Sequence, residues 1–490
     1  MTSIKSTKRA LITSALAILM CAAMLIGATF AWFTDTASTG VNKIVSGNLK
    51  VDIIGADSDS HIEKLNFTKA ATTDAEAGAE ILWEPGCRYL TEGFRIANKG
   101  NLALKWKAQV NTGTTAANEG NFDLLDVIDF YLVTKAADGT ETETALDEFT
   151  GNLKKTETSD VYYIKGVMQT TAGNDYQGLT LDGISITVVA TQDTVESDSF
   201  NNQYDKDAEY PILVTTGDEL QAIVSNATAP VNIVLTNSIT TNNFVIPADK
   251  DVTLDLNGRT VTNAGSHTIL NKGHLTLTDS SADKSGQIIS LKGNTAALRN
   301  GDNAVCVVEG GTISRDGANG NTWHVVENFG KMTFNGGKVV LKNGNGFAIT
   351  NGWNYFDPGA STTHAVMEIN ALELDTDSSG IKNCRYGDLT VNDVTVTSTG
   401  YWALSNDYLG TAVINGGTLT SNSFKAVSNG AAMTVNGGTF DGTEGFVVQS
   451  YATSTVLNGG TFANMNVDVL ASYVGTGHTA QQSGTSVIIK

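Results

Sequence analysis

Side chains with chemistry to offer are sparse in this chain. A glycosidase needs two carboxylates about 5–10 Å apart across a sugar ring. On a β-helix they would lie on adjacent coils at equivalent positions. A lyase needs a basic residue beside carboxylates that hold a divalent cation. Arg315-Asp316 and Arg385 with Asp388 come nearest, but neither forms a stacked carboxylate cluster, so both read as solvated surface. The zinc pattern His-Glu-x-x-His is absent, and His61, followed by Ile62-Glu63 with no second His nearby, reads as an exposed histidine. No catalytic residue, metal ligand or cofactor is therefore assigned. Aromatic rings offer more. Trp353, Tyr355 and Phe356 share one Gly-rich insertion, with Trp323, Tyr386, Tyr401, Trp402 and Tyr408 in neighbouring repeats. Exposed rings stack on sugars, and loops on one face of a repeat array are commonly its binding face. Trp323, Trp353, Tyr355, Tyr386, Trp402 and Tyr408 are thus the candidate glycan contacts. The same rings would equally serve to pack the insertion onto the wall beneath it.

What must position them is a recurring phrase. It reads Val-Glu-Gly-Gly-Thr-Ile at 308–313, Phe-Asn-Gly-Gly-Lys-Val at 334–339, Ile-Asn-Gly-Gly-Thr-Leu at 414–419, Val-Asn-Gly-Gly-Thr-Phe at 435–440 and Leu-Asn-Gly-Gly-Thr-Phe at 457–462, with looser copies from Ile369 and Val391. Its Asn falls at Asn335, Asn370, Asn392, Asn415, Asn436 and Asn458, in steps of 35, 22, 23, 21 and 22 residues. A second Asn keeps time one short strand upstream, at Asn271, Asn300, Asn328, Asn351, Asn383, Asn406 and Asn429. A period this short, with strands of three to five residues and no helical spacing, predicts a parallel β-helix. A leucine-rich repeat would need Leu signatures that are missing. Coils stack about 4.8 Å apart. The Asn rows are expected to form ladders at the corners, with Asn in left-handed backbone and Gly-Gly making the tight bend.

The totals agree. With 490 residues, two or more domains are expected. Gly is abundant (50), Pro scarce (5), and charged residues make up only 17%, the composition of an extracellular β protein. A net charge of −20 argues against a nucleic-acid partner. Cys21 lies in the leader behind a bulky Met20, which is not a lipoprotein box. Cys306 and Cys384 fall on coils too far apart to bridge, and Cys87, Cys306 and Cys384 read as small buried hydrophobes.

Lys5, Lys8 and Arg9 precede an apolar run, 10–28, that ends in small residues. This is a secretory leader, read as cut between Ala31 and Trp32 by a dedicated signal peptidase. The run is long enough that an uncleaved anchor is the alternative. Cleavage takes the charge from −20 to −23, since three cations leave. Further on, Leu102, Leu104, Trp106, Ala108 and Val110 alternate with Lys105, Lys107 and Gln109, and Ile184, Ile186, Val188 and Ala190 repeat the pattern. These are half-buried strands of an antiparallel sandwich.

Ala-Thr-Phe-Ala-Trp-Phe-Thr-Asp at 28–35 runs on to Ile-Val-Ser-Gly-Asn-Leu-Lys-Val at 44–51. With Trp-Glu-Pro-Gly at 83–86, Phe-Arg-Ile-Ala-Asn-Lys-Gly-Asn-Leu-Ala-Leu-Lys at 94–105, Tyr-Gln-Gly at 176–178 and the strand 184–192, this combination resembles the TasA/camelysin family of Gram-positive bacteria over about 1–205. Cys87 and the acidic stretch 71–80 depart from it. The resemblance implies a jelly-roll, a place in an extracellular or biofilm matrix, and, in fibre-forming members, assembly by lending the mature N-terminal strand to the next subunit. Here that strand starts at Trp32 and Phe33. A lent strand is held by backbone hydrogen bonds and alternate apolar side chains; folding of 32–49 onto its own sheet is the equal alternative. Camelysin-type members are also described as metallopeptidases, an activity for which the zinc pattern is lacking.

Residues 196–209 are acidic and aperiodic, a linker. Thr216-Gly217-Asp218-Glu219 forms a capping box ahead of Leu220, Ile223, Val224 and Ala227 at helical spacing, and Pro230 stops that helix. A solenoid needs such a lid on its first coil. Asp-Leu-Asn-Gly-Arg-Thr-Val at 255–261 is similar to the opening coil of pectin-lyase-like right-handed β-helices, a likeness of architecture covering about 212–490; polygalacturonase-type Asp-Asp and Gly-His-Gly do not occur. The expected protein is all-β: leader 1–31, jelly-roll-like β-sandwich 32–195, linker 196–211, and right-handed parallel β-helix solenoid 212–490 with a short helical N-terminal cap. It is expected to be a secreted, extracellular or cell-surface structural or adhesive protein. Its partners would be further copies of itself and matrix glycans. With no sortase motif or C-terminal membrane span, it would be retained by assembly or binding. The alternative is a polysaccharide lyase or glycoside hydrolase working in the β-helix groove.

Overall fold

The computed structural model describes residues 49–62, 65–68, 81–111, 114–115, 122–146, 149–182, 185–193, 209–317, 323–353 and 362–490. Ala31, Trp32, Phe33 and Tyr355, and most of the expected linker, lie outside these residues. Among the described residues no helix is long and apolar enough to cross a membrane.

Antiparallel strands build the first part. Leu104–Asn111 lies between Ser185–Gln192 and Phe149–Leu153, while Val51–Gly55, Phe94–Asn98, Ile128–Lys135 and Tyr162–Met168 belong to a second, seven-stranded sheet. Alternation turns Leu104, Trp106, Ala108 and Val110 inward against Phe94, Ile96, Leu132 and Ile164. The Trp106 indole lies over its cross-strand neighbour Gly151, where a Cβ would come within 2.7 Å of Cζ2. Only glycine fits there.

From Ile212 the pairing changes to parallel. A β-solenoid of about 10 turns fills 212–462. Each full coil gives one strand to each of three sheets of 11, 12 and 9 strands. One coil runs Lys331–Phe334 (first sheet), Lys338–Lys342 (second) and Phe347–Asn351 (third), and pairs in register with Ala365–Ile369, Glu373–Thr376 and Ser379–Asn383 of the next. Alternate residues point inward and join one apolar core from Val214 to Ile489.

Both ends of that core are covered. Helix α1 (Gly217–Asn226) seals the first with Leu220 and Val224, both fully buried. Thr216 Oγ1 accepts from the Glu219 amide at 3.2 Å, and the Glu219 carboxylate reaches back to the Thr215 amide at 2.9 Å. At the far end Ser486–Ile489 runs antiparallel to Gly460–Phe462 and closes a hairpin with Ala480–Ser483, beside the short helix α2 (Val467–Leu470). Phe440 and Phe462 stack inside at 4.9 Å between centroids.

Candidate functional site

Two corners of the solenoid carry the asparagines. Between the first and second sheets, Asn370 Nδ2 donates to Asn335 Oδ1 at 3.0 Å, Asn392 to Asn370 at 2.7 Å, Asn415 to Asn392 at 2.8 Å, Asn436 to Asn415 at 2.8 Å and Asn458 to Asn436 at 2.9 Å. This ladder is exposed, and each amide donates to the coil before it. Its foot is the Glu309 carboxylate, which accepts from Asn335 at 2.8 Å. After the third sheet, Asn271, Asn300, Asn328, Asn351, Asn383, Asn406 and Asn429 form a second ladder at 2.7–2.9 Å, wholly buried, each amide donating to the coil after it. The second amide hydrogen goes to a first-sheet carbonyl, as from Asn328 to Val366 at 2.9 Å.

The expected left-handed asparagines are not found on the ladders; none of these residues has positive φ. The exposed corner divides the work. Its first Gly allows coils to approach, since a Cβ at Gly437 would sit 2.7 Å from Asn415 O, and its second supplies the positive φ, +112° at Gly438. Where a Gly-Gly pair follows it, Asn itself needs no positive φ and stacks its amide on the coil before.

The outward row of the third sheet is Arg299, Glu327, Thr350, Lys382, Ser405 and Ser428, one residue per coil. Glu327 faces away from the core yet is almost fully buried, with Arg299 Nη1 and Trp323 Nε1 each donating to its carboxylate at 3.0 Å. Burial pushes its carboxyl above the usual range, while Arg299 pulls the other way. Lys382 pairs with Asp407 at 3.2 Å and lies 5.2 Å from the Phe347 ring centre. Two histidines in the adjoining corner, His267 and His324, are held neutral by burial, their pKa lowered to about 4. Each Nδ1 accepts a main-chain amide, from Ala296 at 2.9 Å and Phe347 at 3.2 Å.

Aromatic rings flank this row on both sides. Trp323, half-exposed, binds Glu327. Trp402 packs edge-on against Phe424 at 4.6 Å. Across the row, Trp353 lies on Phe329 at 4.5 Å and exchanges main-chain hydrogen bonds with Arg385, so its ring packs on the wall. Tyr386 takes the Arg385 guanidinium on its face at 4.8 Å, and Tyr408 is exposed. Tyr451, which is 57% exposed, and the buried Glu327 carry no mark in the residue order. Tyr451 follows a coil whose ladder position holds Val448 instead of Asn, so the repeat gave no signal there.

Arg315 corrects an expectation. It is not solvated surface but 1% exposed, pointing into the corner between the second and third sheets. Its guanidinium donates to the carbonyls of Thr295, Lys292 (3.0 Å) and His324 (3.5 Å), which compensate its lost hydration. Burial lowers its pKa to about 10. Asp388 pairs with His364 at 2.9 Å, and His61 lies 2.6 Å from Asp52. Cys306 and Cys384 are buried and free, their thiols pushed up to about 12, whereas Cys87 is only half-buried. Among the described residues no group of three His, Cys, Asp or Glu side chains is placed to hold a metal ion.

In comparisons with known proteins, no family model, no curated protein and no solved structure matches the chain.

Proposed function

We propose that the chain is a secreted cell-surface or matrix protein of structural or adhesive role, in which a sandwich serves assembly and the solenoid is a stalk with a glycan-binding surface. The observation that carries this reading is the single apolar core from Val214 to Ile489, flanked by two amide ladders and closed at both ends. Packing of this kind makes a stiff, elongated body, and Arg315, His267 and His324, whose pKa values burial lowers, are spent on holding one of its corners. The TasA/camelysin resemblance of 1–205 supports jelly-roll connectivity for the sandwich, export, and a mature N-terminus at Trp32. It also supports a donor strand beginning at Trp32 and Phe33 that joins copies of the chain.

The test is N-terminal sequencing of protein from culture supernatant, with electron microscopy of the same sample. A terminus at Trp32 and filaments are expected. A monomer whose 32–49 segment resists protease would sink the assembly role, and recovery of the chain only from the cytoplasm would sink the export.

A further inference from the structure

The Trp106 indole of the sandwich is left with an unmet donor. The residue is 1% exposed, and its Nε1–H finds no acceptor among the described residues. A buried donor without a partner costs about 1–3 kcal/mol, so its place calls for a reason. The ring atoms nearest a Cβ built on Gly151 are Cζ2, Cε2 and Nε1, at 2.7–2.9 Å. Gly151 belongs to Phe149–Leu153, which pairs with Leu104–Asn111 on one side and is the outermost strand of its sheet on the other. The Nε1 edge of the indole therefore reaches toward the open side of the sandwich.

A cavity of about 250 Å³ lies there. It opens where the chain leaves that strand, turns through 154–157 and meets the other sheet. Thr158 bridges Ala97, and the Ser159 amide donates to Ile96 O at 2.8 Å. Trp106, Gly151 and Tyr162 form part of the lining, and Glu157 and Asp160 bring carboxylates to it. The Glu157 carboxylate accepts the Lys154 amide at 2.8 Å. No hydrogen bond or ion pair among the described residues engages the Asp160 carboxylate. The Ser159 hydroxyl is already spent, donating to Asp160 O at 2.8 Å and accepting the Ile96 amide at 2.9 Å. Burial, with Asp160 adding to it, raises the pKa of the Tyr162 phenol, which stays a neutral donor.

What fills the cavity must offer the indole an acceptor without bringing negative charge beside two carboxylates. An ammonium only donates, and a carboxylate or phosphate would be repelled. A hydroxyl accepts and donates at once. A sugar sets several hydroxyls on a ring whose apolar faces suit Trp106 and Tyr162. The volume is below the roughly 300–1,000 Å³ of a drug-sized site, which leaves room for one ring and not for a chain. We propose that this cavity binds a single neutral sugar ring, free or terminal on a glycan, with one hydroxyl accepting from Trp106 Nε1–H and others donating to Asp160 and Glu157. The site is separate from the glycan surface read on the solenoid and does not depend on it.

Proton–nitrogen NMR of the full chain, labelled at tryptophan, tests it with glucose, galactose, mannose and N-acetylglucosamine as probes. The Trp106 indole resonance is assigned as the one missing from Trp106→Phe. At least one of the sugars should move that resonance downfield and slow its exchange with water, as the N–H gains an acceptor. Glucuronate and methylammonium should leave it in place. Asp160→Ala, altered only at the exposed rim, should weaken binding of the sugar about tenfold in the same titration. If Trp106→Phe fails to fold, the comparison of wild type with Asp160→Ala still reads the site, because any indole shift the sugar induces must weaken with the rim. No shift with any of the sugars, an equal shift with glucuronate or methylammonium, or wild-type affinity in Asp160→Ala overturns the proposal.

Discussion

The two asparagine ladders use one side chain to do different jobs. The ladder after the third sheet is buried and saturated: Asn328 touches Asn300, Asn351, the Val366 carbonyl and the Gly330 amide. The ladder between the first and second sheets stands in solvent, where water can replace any rung. They also point in opposite directions. Glu309, a carboxylate that only accepts, lies at the foot of the exposed ladder, so its first amide must donate backward and every later rung follows. In the buried ladder Oδ1 accepts from the chain two residues on, as at Asn271, Asn328 and Asn429, which turns the amide hydrogens forward. Burial, not residue type, sets what a rung is worth.

That contrast can be broken most forcefully at its centre. Asn328→Ala removes four hydrogen-bond partners, three of them buried, and should cost on the order of 4 kcal/mol, read as a large drop in the urea midpoint of the solenoid. Acidification comes next. The pKa of His324 is about 4 in the fold against 6.5 unfolded, so its contribution is complete above about pH 6.5 and lost as pH falls through 4. Up to about 3 kcal/mol should vanish in that window, with less from the more exposed His267; denaturation at pH 7.5 and pH 4 measures it, and a flat profile would contradict buried neutral imidazoles. In the exposed corner, Gly438→Ala forces a side chain to φ +112° with its Cβ 3.1 Å from Phe440 Cζ, for about 2 kcal/mol. Asn415→Ala in the same corner should cost only ~0.5–1 kcal/mol by the same midpoints. A larger loss for Asn415→Ala than for Gly438→Ala would reverse the division of work argued for that corner.

Much of this was readable from residue order. The asparagine spacing carried the solenoid because each rung depends on the residue one coil away, and a fixed coil length turns that contact into a period. The helix α1 was legible because its cap and its apolar face are local. Arg315 was not, since its carbonyl partners lie up to 23 residues upstream in a corner that exists only once coils are stacked. Asparagine tolerates the left-handed region in isolation, but in the exposed corner the second Gly of each Gly-Gly pair takes the positive φ, and Asn370 and Asn392, which no such pair follows, stay out of that region as well. Tyr451 escaped because its coil has dropped the asparagine that marks register.

The antiparallel hairpin at the C-terminal end has a consequence for growth. In the second sheet, backbone groups that would otherwise invite a further parallel strand are met by Ser486–Ile489 running the wrong way, and α1 covers the core at the opposite end. Copies cannot be threaded coil onto coil into an endless spiral. The distance this body spans is therefore metered by the gene, in whole increments of some two dozen codons, and any chain of such bodies must be linked through joints rather than by continuing the screw.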